Sequence, residues 1–405
     1  MKSMISVAEA REIVLANTPT GTAEIVQLGA APGRVLAEPI VAREDIPSFD
    51  NSAMDGYAVT AAGLDQIPAS LEIIEDIPAG RPPTKSVSDK TCARIMTGAP
   101  LPAGSDSVVP VEWTSGFLEI GETVTITRAP AIGQHVRRAG DDIKTGQLIF
   151  QPGTRILASM VGTIASLGYH TLSAARRPTV SVVATGSELI APGEQLSEGK
   201  IRNSNGPGLA ALARSAGADV MHELVARDDY HETLTALKTA SAADILLVSG
   251  GVSVGSHDFV KEALDELNTT LLFWRVRQKP GKPLAFGTAA KTIVFGLPGN
   301  PVSSAVCFYQ FVYPAILRLL GASTDRILRR ARLTSPITKA GGLHYFIAGR
   351  SSVQDDGCLS VQRSGPQGSH VYSSVATADC IIHLDESVEL PPPVGSMIDI
   401  EPLPC

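Results

Sequence analysis

The sequence predicts an α/β protein with additional β regions: a doubly wound βαβ domain, an inserted mostly β segment and a small C-terminal β domain. Three observations lead to this fold class. From Pro178 to about Leu320, apolar runs of strand length alternate with helical segments, which is typical of a parallel doubly wound sheet. Between about Val35 and Phe150, short β-prone runs alternate with proline and glycine, and similar runs return after Gly321. A chain of 405 residues is also too long for a single core.

Each predicted element rests on a periodicity and an end signal. Ser6 followed by Glu9 is a capping pattern for a first helix. Asn300 before Pro301 is the clearest helix start in the chain, since asparagine favours the N-cap and proline the first helical position. In the βαβ region the predicted strands are 180–184, 220–225, 245–248, 271–276 and 292–295, and the predicted helices are 206–216, 229–239, 259–267 and 301–320, after an earlier helix at 157–167.

Composition excludes several classes of function. The net charge of −7 gives no electrostatic footprint for nucleic acid or for an anionic membrane surface. The five cysteines form no CxxC pair and the eight histidines show no metal-ligand spacing, which disfavours a zinc site or a disulfide framework. We find no leader pattern and no apolar run that approaches the length of a membrane span. We therefore expect a cytoplasmic protein with no nucleic acid or membrane partner.

Four glycine-rich loops each follow an apolar run that is predicted to be a strand. The carboxyl ends of parallel strands share one edge of a sheet, where ligands bind. Glycine at such a position lets backbone N–H groups approach an anion without a Cβ in the way. We therefore expect the four loops to line a single pocket for a phosphate-bearing ligand. They are TGSE (185–188), SGGVSVG (249–255), KPGKP (279–283) and LPGNP (297–301).

Taken singly, these loops leave two interpretations open. The loop at 249–255 lacks both the Lys-Ser/Thr ending of a P-loop and the GxGxxG spacing of a dinucleotide site. Lys279 and Lys282 either face one anion together, with Arg277 nearby, or belong to a solvated turn. Asp258 either caps the next helix, which is the better-supported role, or holds Mg²⁺. The start of the helix at Asn300 is either an anion site or a tight turn.

Charged residues elsewhere sharpen the chemistry. Glu188 and Asp228 fall near predicted strand ends, so acidic and basic groups alternate around one crevice, which suits phosphoanhydride chemistry assisted by a divalent cation. In the β insert, the runs FDNSAMDGYA (49–58) and RRAGDD (137–142) stand out. Periodicity alone favours a hairpin turn for the first run, and a solvated charge cluster also explains the second.

Together these segments closely resemble the molybdopterin molybdenumtransferases, the enzymes that complete the molybdenum cofactor. The shared motifs occur in the order found in that family and extend over most of the chain. They are NSAMDGYA (51–58), MTGAP (96–100), GDDI (140–143), ATGSEL (184–189), SGGVSVG (249–255), KPGKP (279–283) and GLPGNPVS (296–303).

The resemblance implies an elongated homodimer whose active site lies between subunits. It implies a pterin-binding α/β domain (1–20 plus 175–322), a linking and dimerisation domain (21–45 plus 143–174), a β insert or lid domain (46–142) and a C-terminal β-barrel-like domain (323–405). Members of the family hydrolyse adenylylated molybdopterin with Mg²⁺ and transfer the molybdenum of molybdate to the dithiolene. The implied protein partners are the upstream adenylyltransferase and the apo-molybdoenzymes that receive the cofactor.

The resemblance also implies roles for individual residues. The implied catalytic residues are Asp55, Asp142, Glu188, Lys279 and Lys282, and the implied Mg²⁺ ligands are Asp228 and Asp258. The residues implied to bind the pterin or the oxyanion are Thr97, Arg137, Thr185, Gly186, Ser187, Gly250, Gly251, Ser253, Gly255, Pro298, Gly299, Asn300, Pro301, Ser303 and Ser369.

Two positions depart from the family pattern. Arg275 stands where the family often has lysine, and Ile347-Ala348 stands where a basic residue is expected, with Arg350 the nearest candidate. Two other functions remain open: a pterin-binding scaffold for protein contacts, and the preceding reaction, adenylylation of molybdopterin.

Overall fold

A seven-stranded sheet organises the computed structural model, which describes residues 1–251 and 259–404. In chain order its strands are β1 (Lys2–Ile5), β2 (Thr179–Thr185), β3 (Asp219–Ala226), β4 (Ile245–Ser249), β5 (Thr270–Val276), β6 (Ala285–Ala289) and β7 (Thr292–Leu297). Their spatial order is β1-β5-β6-β7-β4-β2-β3, and the neighbours β7, β4, β2 and β3 are parallel, as the βαβ pattern predicts.

Two strands of this sheet were missed by the sequence prediction, and one of them makes the sheet mixed. β1 is a short edge strand parallel to β5. β6 runs antiparallel to both β5 and β7. Its five residues, AFGTA, contain glycine and follow Pro283 closely, so they carry little strand signal. Because the direction reverses twice, β5 and β7 still point the same way.

Helices cover both faces of the sheet, which confirms the doubly wound arrangement. Alternate residues of β4 enter opposite cores, Ile245 and Leu247 on one face and Leu246 and Val248 on the other. The first core takes residues from α1 (Val7–Ala16), α3 (Asn205–Ala216), α6 (Pro301–Cys307) and α7 (Tyr313–Leu319), and the second from α4 (Tyr230–Ala240) and α5 (Phe259–Glu266). The predicted cap of α1 is present, since the Glu9 N–H donates to Ser6 Oγ at 3.1 Å.

The predicted long helix at 301–320 is divided into three parts. A π-helical turn, Phe308–Val312, lies between α6 and α7. Pro314 has no N–H, and its ring crowds the preceding turn, which accounts for the wider turn just upstream. By length and composition, Pro301–Leu319 is apolar enough to cross a membrane, contrary to the expectation that no run approaches this length. Because 78% of it is buried inside the protein, we assign it as a core helix.

The chain segments before and after the βαβ region form separate β structures. The C-terminal strands close into a small barrel, because His344–Val353 pairs with both Leu359–Arg363 and Cys380–Leu384. The barrel is completed by Arg329–Leu333 and Met397–Pro402, and Gln278–Lys279 adds an edge strand to it. The insert holds a five-stranded sheet of Gly56–Val59, Ala69–Ile77, Thr91–Ile95, Ser107–Pro110 and Thr123–Ile126.

Short elements join these units. The helix predicted at 157–167 is shorter and is α2 (Met160–Ser166), and a one-turn α8 (Ser373–Ala376) follows a barrel loop. Two-stranded ladders pair Ala23–Gln27 with Thr171–Ala175, Ile40–Val41 with Leu148–Phe150, Asn51–Ser52 with Val136–Arg137, and Leu189–Ile190 with Ile201–Arg202.

A buried polar cluster ties the barrel to the π-helical turn. Glu401 Oε2 accepts a hydrogen bond from Gln310 Nε2 at 2.9 Å and lies 2.9 Å from His383 Nε2. Arg326 Nη2 donates to Gln310 Oε1 at 2.8 Å. Burial raises the pKa of Glu401, but its contacts with His383 and Gln310 outweigh burial, so the pKa lies below its ordinary value.

Glu401→Gln should therefore lower the free energy of unfolding at pH 7, by about 1–3 kcal/mol for a buried charged partner. A carboxyl group whose pKa is lowered on folding adds stability above its unfolded pKa and loses it as the pH falls through the folded pKa. The difference between wild type and variant should accordingly shrink below about pH 4. Urea unfolding measured from pH 3 to pH 7 tests this.

The matched control is Asp399→Asn, on the same strand, where the carboxylate forms a half-exposed ion pair with Arg330. Its effect at neutral pH should stay below about 1 kcal/mol. A Glu401→Gln protein that keeps the wild-type stability at neutral pH would contradict the assignment.

Candidate functional site

Three of the glycine-rich loops meet at the carboxyl edge of the sheet and enclose a cavity of about 770 Å³, which we call the larger cavity. They follow β2, β4 and β7, which are parallel neighbours, so their ends lie side by side. Asp228, just beyond β3, lies on the same wall. The loop residues that line it are Thr185, Gly186, Glu188, Ser249, Gly250, Gly251, Pro298, Gly299, Asn300 and Pro301.

The fourth loop, here the lysine turn (residues 279–283), lines a second cavity of about 480 Å³, here the smaller cavity. Lys279, Lys282 and Ser303 contribute to its wall, and the barrel region supplies residues including Tyr345 and Ser369. Pro283 and His370 line both cavities, which therefore adjoin. The single pocket expected from the sequence is thus divided in two, because a barrel loop reaches the sheet edge between them.

Close backbone packing and one asparagine hold the loops of the larger cavity together. Gly250 has φ +97°, and a Cβ there would lie 2.6 Å from the carbonyl oxygen of Thr185, so a side chain cannot be accommodated. Asn205 Nδ2 donates to Ser249 Oγ at 2.8 Å and to the Gly299 carbonyl at 2.7 Å. The loops after β4 and β7 are therefore fixed relative to one another.

The acidic groups of the larger cavity make contacts with the loop after β2. Asp228 Oδ2 accepts from the Ser187 N–H at 2.9 Å, and the Asp228 N–H donates to Ser187 Oγ at 3.0 Å. Asp228 Oδ1 accepts no hydrogen bond within the described part of the chain. The Glu188 carboxylate lies against Gly186. No group of three His, Cys, Asp or Glu residues that could hold a metal occurs within 1–251 and 259–404.

The lysine turn is held between the core and the barrel. Gln278 is fully buried, and its Nε2 donates to the Gly281 carbonyl at 3.0 Å and to Cys307 Sγ at 3.4 Å. Lys279 Nζ lies 5.4 Å from the centre of the Tyr345 ring, a cation–π contact.

The two lysines are the free cations of this turn. Among the described residues, neither Lys279 nor Lys282 has a carboxylate within 4.0 Å. Arg277, expected to add to the positive patch, instead pairs with Glu386 at 2.9 Å. The smaller cavity therefore has two neighbouring positive charges that no described acidic group neutralises, an arrangement that favours an anion.

The start of α6 is engaged by the barrel. Asn300 occupies the N-cap position, but its side chain does not cap the helix; its Nδ2 donates to Ser369 Oγ at 3.2 Å. The Val302 N–H donates to the Ser369 carbonyl at 3.3 Å. The Val302 N–H, one of the helix-start groups expected to bind an anion, is thus hydrogen-bonded to the barrel. Ser303 lines the smaller cavity.

The insert residues form their own arrangement. Asp55 Oδ1 accepts from Thr97 Oγ1 at 2.6 Å and from the Thr97 N–H at 2.7 Å, and these bonds lower the pKa of Asp55. Arg137 lies on the ladder opposite Asn51, and Asp142 is exposed. None of the four implied site residues of the insert lines either cavity of its own chain.

Three implied site residues, Ser253, Gly255 and Asp258, lie outside the described residues. Conversely, the sequence reasoning missed Asn205, Gln278 and Tyr345. A polar run before the helix predicted at 206, Asn-Ser-Asn, could have indicated the first of these. The other two became visible only when the pairing of Gln278–Lys279 with the barrel was known.

Three family models match the chain in succession. The "MoeA N-terminal region (domain I and II)" matches residues 5–168, the "Probable molybdopterin binding domain" matches 181–318, and the "MoeA C-terminal region (domain IV)" matches 330–403.

Named relatives and solved structures extend over almost the whole chain. Molybdopterin molybdenumtransferase 2 of Mycobacterium tuberculosis is 37% identical over 90% of this chain and 91% of its own length. Molybdopterin molybdenumtransferase of Haemophilus influenzae is 36% identical over 95% of each chain. A molybdopterin biosynthesis MoeA protein from Pyrococcus horikoshii has a similar structure, with a TM-score of 0.85, 27% identity and coverage of 98% of this chain and 99% of that one.

Gly281→Ala should disrupt the lysine turn. Gly281 has φ +91°, and a Cβ there would lie 2.6 Å from both Cys307 Sγ and Gln278 Nε2. Gly146→Ala is the matched control, because Gly146 has φ +84° with nothing within 4 Å. Both variants place alanine at a similarly unfavourable backbone angle. The overlap at Gly281 should therefore lower the free energy of unfolding of Gly281→Ala by about 1–3 kcal/mol more than that of Gly146→Ala. Equal losses in urea unfolding would show that the turn is not tightly packed.

Proposed function

We propose that this chain, which belongs to the molybdopterin molybdenumtransferase family, is the molybdenum insertase of molybdenum cofactor biosynthesis. It is an enzyme of that pathway. In the proposed reaction it binds adenylylated molybdopterin, hydrolyses the adenylyl group with Mg²⁺ and transfers the molybdenum of molybdate to the dithiolene. We propose a cytoplasmic location, which is supported by the free thiols of all four described cysteines.

The observation that carries this proposal is that the larger and the smaller cavity adjoin and offer different groups to an anion. The larger cavity has glycine-rich backbone and carboxylates, which suit a phosphoanhydride and a divalent cation. The smaller cavity has Lys279 and Lys282 with no carboxylate partner among the described residues, which suits a compact oxyanion. Two ligands that repel one another would thus be held side by side.

The residues of the chain act mainly by binding and positioning. The loops at Thr185, Gly250 and Gly299 would hold the phosphates of the pterin ligand through backbone groups. Lys279 and Lys282 would neutralise the oxyanion and bring it beside the pterin. Fixed charges in a site closed to water stabilise a developing charge more than solvent does, because they need no reorganisation.

The larger cavity would hold a magnesium ion. Asp228 keeps Oδ1 without a described hydrogen bond, and Mg²⁺ in proteins takes one or two carboxylates together with phosphate oxygens. Asp228, with Asp258 from outside the described residues, would hold the ion, which when bound supplies charge neutralisation at the phosphoanhydride. Glu188, on the same wall, would orient the water that attacks the adenylyl phosphate.

The insert would complete the site of a second subunit. Asp55, Thr97, Arg137 and Asp142 line neither cavity of their own chain. We therefore propose a homodimer in which the insert of one protomer covers the two cavities of its partner.

The decisive experiment is incubation of the purified protein with adenylylated molybdopterin, Mg²⁺ and molybdate. Release of AMP together with active cofactor is expected. Binding of the pterin without turnover would favour a scaffold, and formation of adenylylated pterin from ATP would favour the preceding adenylylation reaction.

Asp55→Ala should abolish insertion while leaving folding and pterin binding intact, because its carboxylate contacts Thr97 in the insert and no residue of the larger cavity. Turnover and equilibrium binding of the pterin measure the two effects separately. The matched control is Asp65→Ala, an exposed acidic residue of the same segment, which should keep wild-type turnover.

Mixed dimers test whether the site is shared. If Asp55 acts across subunits, mixing the Asp55→Ala and Lys282→Ala proteins should restore about a quarter of the wild-type turnover, because half of the dimers then hold one intact site. Recovery of none would mean that the insert serves its own chain.

A further inference from the structure

His370 occupies the boundary between the two cavities. Of the described residues, it and Pro283 are the two that line both, and His370 is the one with a polar side chain. Within the described part of the chain, its imidazole makes no hydrogen bond or ion pair, and the residue is exposed. The side chain is therefore available to a ligand from either side.

The loop that carries His370 is held at two positions that precede it in the chain, Ser369 and Gln367. The Ser369 carbonyl accepts from the Val302 N–H at 3.3 Å, and Ser369 Oγ accepts from Asn300 Nδ2. Upstream, Gln367 Oε1 accepts from the N–H and Oγ1 of Thr338 at 2.9 and 3.0 Å. These bonds connect the loop to α6 and to the barrel, so the position of His370 follows from well-bonded neighbours.

The charges around His370 differ on its two sides. The titratable groups that line the smaller cavity with it are Lys279, Lys282 and Tyr345, and those that line the larger cavity with it are Glu188, Arg202 and Asp228. The barrel side of the smaller cavity carries Ile347-Ala348 where a basic residue was expected, and Arg350 is not among the lining residues. His370 is thus the residue on that side that can offer a cationic hydrogen-bond donor.

We propose that His370 bridges the two ligands, contacting the oxyanion in the smaller cavity and a phosphate of the pterin ligand in the larger one. A protonated imidazole has an N–H at each end, so one side chain can serve two anions. A cation between two anions reduces their mutual repulsion, which allows both to be bound at once. This inference rests on the proposed function and adds a residue that couples the two binding events.

The test is equilibrium binding of molybdate to the full-length protein without Mg²⁺, so that the adenylyl group is not hydrolysed, with and without saturating adenylylated molybdopterin. In wild type, the two affinities for molybdate should be similar. In His370→Ala, molybdate should bind about tenfold more weakly when the pterin is present than when it is absent, because the repulsion is no longer screened. By reciprocity, molybdate should weaken pterin binding by the same factor.

Two single-cavity cations are the matched controls. Lys279→Ala should weaken molybdate binding alone, and Arg202→Ala should weaken pterin binding alone, with no new antagonism between the ligands. An unchanged thermal midpoint for His370→Ala would confirm that it is folded. If that variant binds molybdate with equal affinity with and without pterin, the inference is overturned while the proposed function stands. A wild-type protein that binds neither ligand would overturn both.

Discussion

The common direction of the strands that end at one edge of the sheet is the constraint on which the candidate site depends. β2, β4 and β7 are parallel neighbours, so loops far apart in sequence begin at the same edge, where Asn205 hydrogen-bonds two of them together. β6 preserves this arrangement although it runs backwards, because the reversal before it and the reversal after it cancel. β5 therefore ends at the same edge as β7 and delivers the lysine turn there.

The positive charge available to a ligand in the smaller cavity is local to the lysine turn. The chain is acidic as a whole, so attraction of an anion must come from local groups rather than from net charge. Some arginines outside the cavities form ion pairs, as in Arg277 with Glu386 and Arg176 with Asp244. The lysine turn differs because its neighbours in the described chain are a tyrosine ring, a glutamine and a thiol rather than carboxylates. Its positive charge is left for a ligand.

Local sequence patterns predicted most helices and strands of the α/β region. Features that depend on pairing between distant segments could not be predicted in this way. α3 and α4 were predicted to within about two residues, because their ends carry clear signals such as Asp229, whose side chain accepts from the Glu232 N–H. β6 was missed because AFGTA has neither alternation nor a long apolar run. The loops of the larger cavity could be predicted since each follows its own strand.

The division into two cavities could not be predicted in the same way. It depends on Ser369 meeting Asn300 and on Gln278–Lys279 pairing with His344–Tyr345, and nothing in either local sequence specifies those partners. The ion pair that removes Arg277 from the positive patch is likewise a contact between residues about a hundred positions apart in sequence. The single pocket and the free Arg277, two assignments that depended on such distant partners, were therefore revised by the structure.

The pairing of Gln278–Lys279 with the barrel has a practical consequence. Those two residues belong by sequence to the α/β domain but by hydrogen bonding to its neighbour, so any swivel of the barrel carries Lys279 with it. A chimaera that exchanges barrels between relatives at a junction between residues 318 and 330, where one family match ends and the next begins, would separate the two partners of this ladder. The residues at 278–279 would therefore have to be exchanged together with the barrel, because otherwise the new barrel would pair with an edge strand from a different protein.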